Sequence, residues 1–229
     1  MMLFKPKFWD KKIGLISVLL FPFSLITILF IFLKKRIKKK ISFKTSVICV
    51  GNIYLGGTGK TPTSIVLAKE IARLNKKPVI LRKFYKSHHD EHELIRNNFE
   101  NLILSKSRSK AIKKLERSEY DVVILDDGLQ DYEIKKDLSI ACFNQNQLIG
   151  NGLIIPSGPL RESLNALKEV EVVMINGVKN EDFENKILNI NKNLKIFYSY
   201  YKPSNSNDFK NKKLFALVGI VNPDNFFKL

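Results

Sequence analysis

The sequence predicts an α/β fold: a mostly parallel sheet with flanking helices, preceded by an N-terminal hydrophobic membrane helix. Three observations predict it. Short, β-branched apolar runs recur from residue 45 onward, stretches with helical spacing lie between them, and a 21-residue uncharged run precedes them all. The 229 residues suit one α/β domain with an appendage, or two small domains. We divide them into residues 1–44, a membrane-anchoring helix with a basic flank, and residues 45–229, the folded domain.

The first strand is Ser46-Val47-Ile48-Cys49-Val50, apolar throughout, as a strand covered on both faces of a parallel sheet must be. A Gly-rich turn follows. Thr63 to Leu74 then has helical spacing, with Ile65, Val66, Ala68, Ile71 and Ala72 as the apolar face. Pro78 to Leu81 and Leu102 to Leu104 read as the second and third strands, with a basic helix from about Ser109 to Arg117. Val122 to Leu125 is a strand ending in Asp126-Asp127-Gly128. Leu138 to Phe143, Val170 to Ile175, Ile196 to Tyr200 and Leu214 to Val218 complete the strands. Asn222-Pro223 has the form of a helix start. The polar stretch Tyr200 to Lys213 reads as a loop.

Ile13 to Leu33 carries no charge and is long enough to cross a hydrocarbon core about 30 Å thick. It passes directly into lysines, with no small-residue cleavage site, so it is read as a retained anchor and not a signal peptide. Whether it spans or lies flat stays open. Trp9 is a candidate headgroup-level anchor. The basic residues Lys34, Lys35, Arg36, Lys38, Lys39, Lys40 and Lys44 follow it, favouring a cytoplasmic folded domain.

The formal net charge of +17 calls for an anionic partner. A polybasic run beside an apolar segment points to anionic membrane lipid, and no nucleic-acid-binding motif is present. Two cysteines, Cys49 and Cys142, both in apolar contexts, exclude a disulfide framework and read as buried thiols.

Gly56-Gly57-Thr58-Gly59-Lys60-Thr61 lies between a strand and a helix, the context of a phosphate-binding P-loop. Glycines let successive N–H groups face phosphate oxygens, and the helix N-terminus adds favourable charge. Lys60 would reach the β- and γ-phosphates and Thr61 would ligate Mg²⁺. The strict pattern wants glycine at position 54, where this chain has Tyr54. Asp126-Asp127, closing an aliphatic strand, has the Walker B arrangement of metal-holding carboxylates. The domain is therefore P-loop NTPase-like, and ATP with Mg²⁺ is the expected cofactor pair. His88-His89-Asp90-Glu91-His92 is either a solvated loop or the source of a carboxylate that orients an attacking hydroxyl, with Asp90 the candidate. Pro156 to Glu162 is a rigid turn presenting Arg161, which could clamp a phosphate oxygen, and Glu162.

Together these motifs resemble the tetraacyldisaccharide 4′-kinase (lipid A 4′-kinase) family. The resemblance runs from the apolar segment through Gly51-Asn52 and the P-loop, Asp90-Glu91 and Asp126-Asp127-Gly128-Leu129-Gln130. It continues through Gly150-Asn151-Gly152 and Pro156 to Glu162, and on to Gly219 to Pro223 with Phe226-Phe227. It implies transfer of the ATP γ-phosphoryl group to the 4′-hydroxyl of a lipid A disaccharide precursor at the cytoplasmic face of the inner membrane. It also implies roles. Asp90, Lys60 and Arg161 would be catalytic. Gly56, Gly57, Thr58, Gly59, Lys60, Thr61, Glu91 and Glu162 would bind nucleotide, and Thr61, Asp126 and Asp127 the metal. No protein partner is implied.

Three features depart from the family pattern. Arg82-Lys83-Phe84-Tyr85 replaces an Arg-Gly-Tyr-Gly-like turn, and His89 replaces a glycine. The resemblance leads one to expect a later Asp-His-His segment, which the sequence does not reach by Leu229, so the expectation is of a C-terminally truncated copy. Two alternatives stand beside the kinase: a membrane-associated regulatory P-loop ATPase, and a nucleotide-binding but inactive truncated kinase. The first is disfavoured by Leu55, where such ATPases carry lysine.

Overall fold

The structure is a computed structural model that describes residues 5–85 and 89–202. The expected strand at Leu214 to Val218, the helix start at Asn222-Pro223 and His88 lie outside the described residues.

Seven strands form one sheet, ordered β3-β2-β4-β1-β5-β6-β7, and each neighbouring pair is parallel. They are β1 (Ser46–Gly51), β2 (Pro78–Lys83), β3 (Leu102–Ser105), β4 (Val122–Asp126), β5 (Leu138–Asn144), β6 (Val172–Asn176) and β7 (Lys195–Ser199). The helices are α1 (Leu15–Ile37), α2 (Lys60–Arg73), α3 (His89–Arg96), α4 (Arg108–Leu115) and α5 (Glu181–Leu188).

Alternation along β1 explains its continuous apolar run. Val47 and Cys49 pack into the core on one face of the sheet, Ile48 and Val50 into the core on the other. Both cysteines are buried and free, and burial pushes each thiol up to about 12. Helix α2 starts at Lys60, before the expected Thr63, and turns Thr61, Ser64, Ile65 and Ala68 inward. Val66, expected on the apolar face, is exposed.

Two helices were not anticipated. α3 turns only His92 and Ile95 inward, too few apolar positions for a periodic signal in so short a segment. His92 stacks on Phe84, ring centroids 6.0 Å apart. α5 is capped by Asn180, whose side chain accepts from the Phe183 N–H at 2.9 Å. It supplies the crossover that lets β6 and β7 run parallel.

Helix α1 is polar inward and apolar outward. Ser17 and Ser24 are its buried residues. Asn151 Nδ2 donates to Ser17 Oγ at 3.2 Å. Ser24 Oγ lies 2.8 Å from the Ile154 carbonyl oxygen and accepts from the Ser157 N–H at 3.1 Å. Leu15, Leu19, Phe23, Ile26 and Phe30 stand on the exposed side. Trp9 does not take the headgroup position expected of it. It is buried, and its Nε1 donates to the Pro156 carbonyl at 2.9 Å. The basic run likewise turns partly inward: Lys35 pairs with Glu162, Lys38 with Glu133 and Lys40 with Glu169.

Ser24→Val should leave the buried Ser157 N–H without its acceptor. The expected loss is about 1–3 kcal/mol, read as a lower unfolding midpoint in detergent, whereas Thr27→Val on the same helix should change it little.

Candidate active site

The site is built at the C-terminal edge of the two central strands. β1 and β4 pair in a register that sets Val50 beside Asp126, and the Asp127 N–H donates to the Val50 carbonyl at 2.8 Å. The chain leaving β1 therefore meets the carboxylates leaving β4, the proximity that a P-loop and a Walker B strand require.

Gly59 takes φ 85° as the N-cap of α2, a left-handed conformation that other residues adopt at a cost. A Cβ there would also lie 3.1 Å from Asn176 Nδ2. Lys60 and Thr61 open the helix, both nearly buried. Asn52, fully buried, braces the turn from beneath. Its Nδ2 donates to the Gly56 carbonyl at 3.1 Å and to Thr58 Oγ1 at 2.9 Å. Tyr54, where the motif departs from its strict form, is also fully buried, and its hydroxyl donates to Asp10 at 2.8 Å. Burial, reinforced by that carboxylate, raises the Tyr54 pKa far above the usual phenol value. A large aromatic thus anchors the approach to the loop where other P-loops use glycine.

Asp126 is fully buried. It accepts from Thr61 Oγ1 at 3.2 Å and from Ser64 Oγ at 2.9 Å, and it pairs with the Arg82 guanidinium. Arg82 also pairs with Glu91 and donates to Thr61 Oγ1 at 3.1 Å. Asp126, Glu91 and Thr61 are thus gathered around one buried positive charge. Thr61 Oγ1 and Asp126 Oδ2 are hard oxygen donors on facing elements, a set that suits Mg²⁺, and a cation already lies against both. The donors fit the expected metal.

Asp127 has φ 59° and accepts from Arg161 at 2.8 Å. Burial alone would raise its pKa. Lys60 and Arg161, with Arg108, outweigh that and hold the carboxyl below its ordinary 3.8. Arg108 is buried, pairs with Asp131 at 2.6 Å and donates to the carbonyls of Asp126 and Asp127, clasping the end of β4. Arg161 and Glu162 are carried on a segment tied to the loop's approach: the Leu55 N–H donates to the Pro159 carbonyl at 2.8 Å and the Arg161 N–H to the Ile53 carbonyl at 2.7 Å. Glu162 lies one step removed from the loop. Its oxygens accept from Gln130 at 2.7 Å and Tyr132 at 3.1 Å and pair with Lys35 at 3.0 Å. Asp90 is exposed on the first turn of α3, beside Glu91.

A cavity of about 270 Å³ opens beside Asp127. Arg82, Lys83, Arg108 and Arg161 line it, with Lys34 of α1. Sequence reasoning gave no role to Arg82, Arg108, Asn52 or Gln130. Asn52 and Gln130 stood within recognised motifs, whereas no local pattern marks Arg108.

The parallel sheet, the loop on its central strand and the adjacent Asp-bearing strand define a P-loop nucleotide-binding protein of the phosphotransferase kind. The profile of the family described as tetraacyldisaccharide-1-P 4′-kinase matches residues 16–229, and the chain belongs to that family. A tetraacyldisaccharide 4′-kinase of Pelagibacter ubique is 42% identical over 241 residues, covering 100% of this chain and 74% of that protein. One of Rickettsia akari is 36% identical over 238 residues, covering 97% and 72%. A crystal structure of LpxK from Aquifex aeolicus in complex with ATP superposes with a TM-score of 0.61 at 19% identity, over 88% of this chain and 86% of that one. It shares the fold.

The lowered Asp127 pKa sets a pH dependence. A depressed carboxyl stabilises the fold fully above its unfolded pKa and loses that contribution as pH falls through the folded value. Denaturant midpoints measured from about pH 5 downward should therefore fall for wild type below about pH 4. In Asp127→Asn that part of the fall should be missing, so the two curves converge in acid.

Proposed function

We propose that this chain transfers the γ-phosphoryl group of ATP to the 4′-hydroxyl of a tetraacylated glucosamine disaccharide 1-phosphate. The observation that carries the reading is the meeting of Thr61 with Asp126, and of the Lys60 charge with Asp127, at the end of the β1–β4 pair. Family membership, from residue 16 to 229, supplies the substrate class.

In this reading the backbone N–H groups of Gly57 to Thr61 cradle the phosphate tail, with Gly56 opening the turn. Lys60 neutralises the β- and γ-oxygens. Thr61 and Asp126, with Asp127 alongside, would hold Mg²⁺, which would supply charge stabilisation to the phosphate oxygens. Arg161, already aimed into the site by Asp127, takes charge that builds on the transferred group. Glu91, paired with Arg82, would support the nucleotide and its metal from the rim of the site. Asp90 orients the sugar hydroxyl and accepts its proton. The cationic cavity beside Asp127 receives the acceptor, whose own phosphate suits Arg108 and Lys83.

The substrate's acyl chains stay in the bilayer, since each buried methylene contributes about 0.8 kcal/mol to retention. Helix α1 brings the site to them. It contacts the folded domain at Ser17 and again at Lys38, about 31 Å apart along the helix axis. A helix held to its own domain along that length lies in the interface with its apolar face down, in preference to crossing. We place it on the cytoplasmic face of the inner membrane, with anionic lipid facing the lysines that stay outward.

Membrane fractions containing the chain should transfer labelled γ-phosphate to a lipid A disaccharide precursor. Asp90→Ala should lower transfer by about 100-fold or more while an ATP analogue still binds, and Lys60→Ala should lose both. Transfer unaffected by Asp90→Ala would remove that residue from the chemistry. Analogue binding with no transfer by the wild type would favour the inactive alternative.

A further inference from the structure

We propose that Lys35, on the membrane helix, is a positioning residue for the phosphate loop. The proposal rests on the kinase reading. Sequence alone groups Lys35 with lysines that meet lipid headgroups. In the structure its Nζ lies 3.0 Å from Glu162 Oε2, and that carboxylate side chain is only 5% exposed. A buried carboxylate needs both hydrogen-bond donors and a balancing charge. Gln130 and Tyr132 supply neutral donors. Among the described residues, Lys35 is the cation within ion-pair distance.

From Glu162 the contacts run without a break to the loop. Gln130 Nε2 donates both to Glu162 Oε1 at 2.7 Å and to the Asn52 carbonyl at 3.1 Å. The Asn52 side chain then holds Gly56 and Thr58. Four residues thus join the last turns of α1 to the bend that grips phosphate. Lys35 is also fixed laterally, with its Nζ 4.9 Å from the centre of the Tyr132 ring. Its neighbours serve elsewhere: Lys38 pairs with Glu133 and Lys40 with Glu169. Because lipid meets the outer face of α1, the seating of that helix on a bilayer sets where Lys35 holds Glu162. The loop's readiness for nucleotide is thereby coupled to docking, as a free energy shared between two sites.

The test uses the full chain on vesicles containing phosphatidylglycerol, titrated with a non-hydrolysable ATP analogue and Mg²⁺. Lys35→Met and Lys35→Gln should weaken analogue binding by about three- to tenfold. Lys35→Arg should stay within about twofold of wild type. Lys39→Met, in the same basic run, should bind as wild type does. Vesicle co-sedimentation should be equal for all four. In a Glu162→Gln background, Lys35→Met should have no further effect. Equal binding by wild type and the Met and Gln variants overturns the proposal. So does an equal loss in Lys39→Met, or an undiminished Lys35→Met effect in the Glu162→Gln background. Wild type that binds the analogue but transfers no phosphate defeats the kinase reading alone and leaves the Lys35 comparison intact.

Discussion

The site depends on one buried charge. Asp126 sits at the end of a central strand with no exposure to water, where an unpaired carboxylate would be very costly. The surrounding side chains answer that cost: Thr61 and Ser64 from α2 donate to it, and Arg82 from β2 neutralises it. These partners come from two elements, α2 and β2, and the carboxylate from a third, β4, so satisfying it also fixes how helix and strands meet. Arg82 extends the arrangement to Glu91 and hence to α3. The oxygens of Thr61 and Asp126, which the proposal gives to the metal, are drawn together by folding itself.

A second layer of contacts surrounds this charge. Arg108 clasps the carbonyls of Asp126 and Asp127, and Arg161 holds the Asp127 side chain. The antiparallel contact of residues 53–55 with 159–161 keeps Arg161 close to the loop. The long connection from β5 to β6 thereby becomes part of the active edge of the sheet, although it lies far from the P-loop in sequence.

Much of this is legible in the sequence. The β-branched runs marked β1, β2 and β4 because a doubly covered strand must be apolar at every position. The P-loop and Asp126-Asp127 were legible because their chemistry is local. The helix α3 was not, since eight residues with two inward side chains carry no readable period. Arg108 was invisible for another reason: its value lies in carbonyls 18 and 19 residues away. Trp9 and Lys35 misled for the same cause. Next to an apolar run both suggest a bilayer, and only tertiary packing reveals that each turns toward protein. The serines of α1 looked like interruptions of a hydrophobic segment, yet they form the seam by which it adheres to the domain.

That seam changes what the first forty-odd residues are for. Trp9 caps the turn at Pro156, Asp10 receives the Tyr54 hydroxyl beneath the phosphate loop, and Ser24 closes on Ser157. Cutting the greasy leader away to obtain a well-behaved soluble enzyme would therefore unroof the Arg161 turn and leave a buried tyrosine without its acceptor. Solubility and a competent nucleotide pocket are opposed in this chain, because the same stretch of polypeptide faces oil on one side and the catalytic edge on the other.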